Sequence, residues 1–380
     1  MTETAPTPYP LLSSDSHVFE PADLWTARCK DVEDVPRVER VGNRDLWMIG
    51  RHVMGTTAAA QNAGVRHIDP AELKIAGLFD DVPTAAYDPE ARVSEQDVDG
   101  IGGEVLYTTV GLFLYGQLRD SERLSLFCGA YNDWLAEFCR HAPDRLKGMA
   151  MINVDDIAGA VKELERCRSL GLVGAMIPSF PDWDRPYGHP DYEPLWAAAS
   201  DLEAPLALHV ATNRPGPVRS LSFEFPAECT QAMLTNLDFW VRLSLTDIIL
   251  SGVFQRHPNL MVGSVENELG WIPYFLFQLD YTYTDRLRRS SWPKKFEDGR
   301  LPSDYFRSNV FASFQEDPTA MPHRHVIGID TLTWGSDYPH PESTYPKSRE
   351  ITSRILADVP EPEREQILAG NTARIFGFRY

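Results

Sequence analysis

From about residue 93 to the C terminus, short apolar segments alternate with longer amphipathic ones, and this rhythm restricts the fold more than any other feature of the chain. Strand-like segments cover 104–110, 146–154, 173–178, 205–210, 260–266, 310–314 and 332–337. Helical segments cover 120–141, 155–170, 192–202, 228–256, 271–287, 346–357, 361–369 and 371–376. Near the N terminus, the stretch from Leu11 to Pro21 opens as a further strand, which brings the strands to eight. Short apolar strands separated by helices pair in parallel, because each helix carries the chain back to the same end of the sheet. Eight such units predict an α/β fold, a closed (β/α)8 TIM barrel. An open doubly wound sheet is the alternative, but no GxGxxG or Walker-type loop follows any strand to favour it.

One stretch breaks the rhythm. Residues 22–92 carry little apolar periodicity and are punctuated by Val35-Pro36, Gly42-Asn43, Gly50, Gly55, Gly64 and Asp69-Pro70. A segment this long is no ordinary connection, so it reads as an insertion or lid after strand one of a single domain spanning 1–380. His52 and His67 lie in it and read as loop histidines.

Charge narrows the partners. The 36 Lys and Arg residues are outnumbered by 55 Asp and Glu, a net charge of −19, which excludes the basic surface that nucleic acid or an anionic membrane requires. No run of eighteen apolar residues occurs, and Met1 to Pro10 lacks a basic segment followed by an apolar one, so neither a membrane span nor a secretory signal is expected. Cys29, Cys128, Cys139, Cys167 and Cys229 are scattered without a CxxC spacing, the pattern of reduced thiols in a cytoplasmic protein.

In a (β/α)8 barrel the strand C-termini form the active face. Asp15 and His17 end strand one, and on an extended backbone residues two apart share a face. His209 ends strand five, Glu266 strand six and Asp337 strand eight. Taken singly, His209 reads as a core histidine and the carboxylates as turn or helix caps. Together, two imidazoles and three carboxylates at one end of a barrel form a buried charge cluster that is very costly without a cation. One divalent transition metal removes that cost, and mixed imidazole and oxygen ligands suit Fe, Zn or Mn.

The combined pattern resembles the metal-dependent amidohydrolase superfamily, in its amidohydrolase-related (type 2) branch, which includes the aminocarboxymuconate-semialdehyde and resorcylate-type decarboxylases. The resemblance runs from Leu12 to Phe378. It rests on Asp15-Ser-His17-x-x-Glu20-Pro21, the strand-five His209, Ser251-Gly-Val-Phe-x-x-x-Pro258-x-Leu260, Glu266-x-x-x-Gly270-Trp271, Gly335-Ser-Asp337-Tyr-Pro339-His340 and Asn371-x-Ala373-Arg374-x-Phe376-Gly377. It implies that His17, His209 and Asp337 bind a catalytic divalent metal. Asp15 stands where the superfamily usually carries a histidine, and Glu266 replaces the common strand-six histidine, with Glu268 the neighbouring possibility. Strand four lacks the lysine that becomes carbamylated in binuclear members, so one metal is expected.

Two reactions use such a site. In hydrolysis the metal lowers the pKa of bound water and polarises an acyl carbonyl, with Asp337 moving the proton. In non-oxidative decarboxylation the metal chelates the substrate's carboxylate or phenolate, and Asp337 protonates the ring carbon. The missing strand-six histidine tips the sequence reading towards hydrolysis of an ester, thioester or amide. A metal-stabilised binding protein or pseudo-enzyme is the non-catalytic alternative. His340, beside Asp337, is a candidate for holding a ligand by its other nitrogen. Tyr107, His189 and Tyr192 are candidates for substrate contact, and Phe113, Trp183, Phe223, Phe225 and Trp240 for an apolar pocket. Aromatics near the strand ends favour a bulky apolar or cyclic small molecule, and the helices around 228–256 and 271–290 a homodimer.

Overall fold

The structure, a computed structural model, describes residues 9–215 and 231–380 apart from Arg288 and Lys294. In chain order its strands are β1 (Leu11–His17), β2 (Arg37–Val41), β3 (Arg44–Ile49), β4 (His52–Thr56), β5 (Ile101–Tyr107), β6 (Leu146–Met151), β7 (Gly174–Pro178), β8 (Leu206–His209), β9 (Val262–Val265), β10 (Val310–Phe314) and β11 (Leu332–Trp334). Eight of them form one sheet in the order β1-β5-β6-β7-β8-β9-β10-β11. Every pairing between neighbours in it is parallel. Helices such as Ser121–Cys139, Ile157–Ser169 and Glu193–Asp201 make the crossovers, which gives the (β/α)8 barrel.

The seam where β11 meets β1 is closed by specific hydrogen bonds. Ser336 N donates to Ser13 Oγ at 2.9 Å, Asp337 N to Asp15 O at 2.8 Å, and His17 N to Tyr338 O at 2.6 Å. Gly335 permits this approach, since a Cβ there would fall 2.5 Å from the Asp15 Cβ. The seam therefore fixes Asp15, His17 and Asp337 relative to one another through backbone contacts.

Residues 22–92 contain an antiparallel sheet, β2-β3-β4, which the sequence does not announce. Its strands are five or six residues long, and β2 is half-exposed to exposed throughout, too short and polar for a readable alternation. The helix Pro89–Asp99 starts inside the same stretch, where Asp88 caps it by accepting from Ala91 N at 2.9 Å and Pro89 occupies its first turn. Its fully buried Arg92 pairs with Glu104 of β5, Nε to Oε2 at 2.6 Å, and donates to His17 O at 2.7 Å. Strand β5 ends at Tyr107, short of the expected Val110, because Val110 begins the helix Val110–Gln117. Strand β11 likewise stops at Trp334 and leaves Asp337 in a loop.

Cys29, Cys128, Cys139 and Cys167 are buried free thiols, and Cys229 lies outside the described residues. Among the described residues, no helix is long and apolar enough to cross a membrane.

Candidate metal centre

The strand ends converge as barrel geometry requires. His17 at the end of β1 and His209 at the end of β8 are fully buried, with their Nε2 atoms 3.2 Å apart. Asp15 Oδ1 lies 3.6 Å from His17 Nε2 and 3.5 Å from His209 Nε2. Glu266 Oε2 lies 3.4 Å from His209 Nε2 and 3.9 Å from His17 Nε2, and Asp337 Oδ1 lies 3.5 Å from His17 Nε2. The Glu266 side chain is 19% exposed, so this flank of the cluster reaches solvent.

Backbone carbonyls fix both ring tautomers. His17 Nδ1 donates to Thr108 O at 2.7 Å and His209 Nδ1 to Val210 O at 3.1 Å, because a carbonyl can only accept. In each neutral ring Nε2 then presents a lone pair to the cluster. Two such lone pairs at 3.2 Å repel unless a metal ion or a proton lies between them, and although burial opposes it, the Asp15 and Glu266 carboxylates raise the His209 ring above its ordinary value. Neither oxygen of Asp15 has a hydrogen-bond partner, and Asp337 meets only the His340 ring, although all four oxygens are buried. Donors about 2.0–2.2 Å from a transition ion lie roughly 3.0–3.5 Å from one another, close to the spacings found here. On these observations the residues fit a divalent metal.

Electrostatics point the same way. Burial, then the neighbouring His340, holds His17 down at about 3, so its ring is neutral. Burial alone would push the Asp15 carboxyl up, but the His17 and His209 imidazoles beside it hold it below the ordinary carboxylate value. Asp337 is raised well above that value by burial and then by Asp15, and Glu266 by burial and then by Asp337. Carboxylates that raise one another in this way are relieved by a cation.

His340 stands against Asp337, with Nδ1 2.9 Å from Asp337 Oδ1. Its Nε2 is 3.0 Å from the Thr109 hydroxyl, whose one proton goes to Val18 O at 2.7 Å. Nε2 must therefore donate to Thr109, which leaves the Nδ1 lone pair facing Asp337. Burial holds His340 down at about 4 and pushes Asp337 well above the ordinary carboxylate value, so both shifts favour a shared proton on the Asp337 carboxyl. Asp337 and Glu266 both adopt left-handed backbone, φ 58 and 59, which turns their carboxylates out of the strand direction.

Beside the cluster opens a cleft of about 760 Å³. Leu112, Phe113, Val210 and Trp271 give it apolar walls, and Glu266 and His340 line its inner end. Arg66, half-buried in the insertion, is the one Lys or Arg among the described lining residues. Its Nη2 pairs with Glu316, and its Nε donates to Ser343 O at 3.2 Å. Sequence reasoning missed Arg66, since nothing in its local pattern says that this loop residue will line the cleft.

Several expected residues lie elsewhere. Tyr192 is fully buried and donates to Arg185 O at 2.9 Å, packing against Tyr187 and Trp196 outside the cleft. His189 is 42% exposed beside Asp191, where it caps a short helical turn instead of facing the site. Both assignments are corrected because the loop after β7 folds back onto its own helix. Tyr107 is buried with its ring 5.0 Å from that of His209, and it does not line the cleft. Trp183 and Trp240 pack with Phe180 away from the cleft, while Phe113 lines it. Phe223 and Phe225 lie outside the described residues. Glu268 accepts long bonds from Gln315 N and Glu316 N, both at 3.4 Å, and lies outside the residues grouped around His17.

Residues 111–378 match the sequence model of the family described as amidohydrolase. The chain belongs to the amidohydrolase family. Among its relatives, the gamma-resorcylate decarboxylase of a Rhizobium species is 27% identical over 314 residues, covering 76% of this chain and 86% of that protein. An amidohydrolase from Mycobacterium avium subsp. paratuberculosis has a similar structure, with a TM-score of 0.76 at 20% identity, covering 98% of this chain and 99% of the other. So does a dihydroxybenzoic acid decarboxylase from Polaromonas with bound manganese and the inhibitor 2-nitroresorcinol, with a TM-score of 0.64 at 19% identity and 97% of each chain covered.

The expected hydrolysis of an ester, thioester or amide is overturned by the first of these relatives, a decarboxylase matched over most of both chains. The reasoning from strand six fails for a physical reason. Glu266 places a carboxylate oxygen 3.4 Å from His209 Nε2, so the strand-six position still offers the cluster a ligand atom. Ligand type at that position therefore does not separate hydrolysis from decarboxylation.

Proposed function

We propose that this amidohydrolase-family protein is a metal-dependent, non-oxidative decarboxylase of an aromatic or cyclic carboxylate. The observation that carries the reading is the buried Asp337 carboxyl, with His340 Nδ1 2.9 Å away on one side and the His17–His209 cluster on the other. Asp15, His17, His209, Glu266 and Asp337 would hold one divalent transition ion, and manganese is the first to test because the related Polaromonas enzyme contains it. When bound, the ion supplies a positive charge that anchors the substrate's carboxylate or adjacent oxygen.

The chain's own residues supply the remaining parts. Leu112, Phe113 and Trp271 receive the ring, and Arg66 is the cation that draws an anion into a cleft otherwise lined by acidic groups. Asp337 delivers its proton to the ring carbon that bears the carboxylate, which interrupts the ring's conjugation. The carbon–carbon bond then breaks, its electron pair returns to the ring, and CO2 departs. The balance is one carboxylate and one proton giving one arene and one CO2. His340 Nδ1 lies where it can pass the next proton to Asp337.

The test is CO2 release from a panel of hydroxybenzoates by protein reconstituted with Mn(II). Stoichiometric CO2 and decarboxylated arene support the reading, and turnover without CO2 ends it. The same proposal includes a cytoplasmic setting and a homodimer through the exposed Tyr274, Phe277 and Tyr281, which light-scattering mass would check.

A further inference from the structure

We propose that Glu20 is a positioning residue for the metal centre, acting from outside the ligand set through the turn at 108–111. The inference rests on reading the His17–His209 cluster as a metal site.

Glu20 is fully buried, three residues beyond His17. A carboxylate in that position needs donors. It has three: the Thr108 hydroxyl donates to Oε1, Gly111 N to Oε1 at 3.2 Å, and Val110 N to Oε2 at 2.9 Å. Val110 and Gly111 open the helix Val110–Gln117, whose first N–H groups have no partner within the helix. The residue before that helix, Thr109, makes no side-chain cap bond, because its hydroxyl is committed to Val18 O and His340. Glu20 completes the cap from another segment of the chain: it alone takes the Val110 N–H, and it shares the Gly111 N–H with Thr108 Oγ1, which accepts from it at 2.8 Å. Gly111 is fitted to this, since a Cβ there would lie 2.3 Å from Thr108 Oγ1 and 2.5 Å from Met151 Sδ.

What the turn holds gives the cap its consequence. The Thr108 carbonyl accepts from His17 Nδ1 at 2.7 Å, which aims Nε2 at the cluster. The Thr109 hydroxyl accepts from His340 Nε2 at 3.0 Å, which aims Nδ1 at Asp337. One carboxylate thus sets the orientation of two imidazoles on either side of Asp337, although it lies in neither cluster of candidate ligands.

Glu20→Gln tests this in the full-length protein. The amide can keep the Thr108 and Gly111 contacts, but its NH2 group then opposes the Val110 N–H. Free Mn(II) is measured by electron paramagnetic resonance during titration of metal-free protein. Mn(II) binding is expected to weaken roughly 10- to 100-fold. A merely structural role would lower the melting temperature of metal-free and Mn(II)-loaded protein alike and leave Mn(II) affinity within twofold of wild type, and that result overturns the proposal. If Glu20→Gln does not fold, Thr108→Val decides, with weakened Mn(II) binding in support and unchanged binding against. Wild-type protein that binds no Mn(II) overturns the metal reading and this inference together, which is distinguishable from a variant that binds as tightly as wild type.

Discussion

His17 Nε2 and His209 Nε2 face each other at 3.2 Å although they lie 192 residues apart in the chain. Both rings are held by carbonyls behind them, so in their neutral forms both Nε2 lone pairs face the cluster, and an added proton or metal ion is what joins them. The barrel therefore stores an unfavourable contact that a cation converts into a favourable one.

Metal removal should restore that unfavourable contact. Chelation is expected to abolish CO2 release and lower the melting temperature, and Mn(II) at 100 times its dissociation constant to restore about 2.7 kcal/mol of stability. Calorimetry with and without chelator measures both states. An unchanged melting temperature would contradict the cation role.

Asp337→Asn keeps the shape of the side chain and removes the proton it donates. CO2 release should fall by about 10²- to 10⁴-fold, the range for loss of a general acid, with the protein still folded. Single-turnover assays with a hydroxybenzoate check it.

Arg66→Gln removes the one Lys or Arg among the described lining residues of the cleft. The expected effect is a KM raised about tenfold for a carboxylate substrate with kcat little changed, the signature of a binding contact worth roughly 1.4 kcal/mol. Equal losses in kcat and kcat/KM would show instead that the pairing of Arg66 with Glu316 serves the chemical step.

Breaking the buried Arg92–Glu104 pair should be expensive. Arg92→Met leaves Glu104 charged and buried and strips donors from His17 O, so a loss of about 3–5 kcal/mol is expected by urea denaturation. The double variant Arg92→Met with Glu104→Leu should recover part of it.

Asp247 gives a pH dependence away from the centre. Burial pushes its carboxyl up to about 6 in the folded chain, where it lines a small cavity with Tyr283 and Trp292. The folded state therefore holds a proton that the unfolded state has already released, and the associated stability is complete below about 4 and lost as pH rises through about 6. Asp247→Asn should raise the melting temperature relative to wild type at pH 8 and not at pH 4. A constant difference across that range would contradict the assignment.

The sequence by itself determined the barrel, because the alternation of buried parallel strands and amphipathic helices is a one-dimensional pattern that each segment carries locally. It also placed His17 and His209 at the ends of their strands, which are read from neighbouring residues, whereas Glu266 falls just past β9 and Asp337 in the loop after β11. The small sheet β2-β3-β4 escaped that reading, because its short polar strands owe their order to pairing rather than to burial. Tertiary structure alone decided that Asp15 stands within 3.6 Å of both imidazoles, that Tyr192 and His189 turn away, and that Arg66 lines the cleft. It alone also set the imidazole tautomers, through Thr108, Thr109 and Val210. Those facts depend on which distant backbone groups meet at the barrel's end, and such meetings leave no local trace in the order of residues.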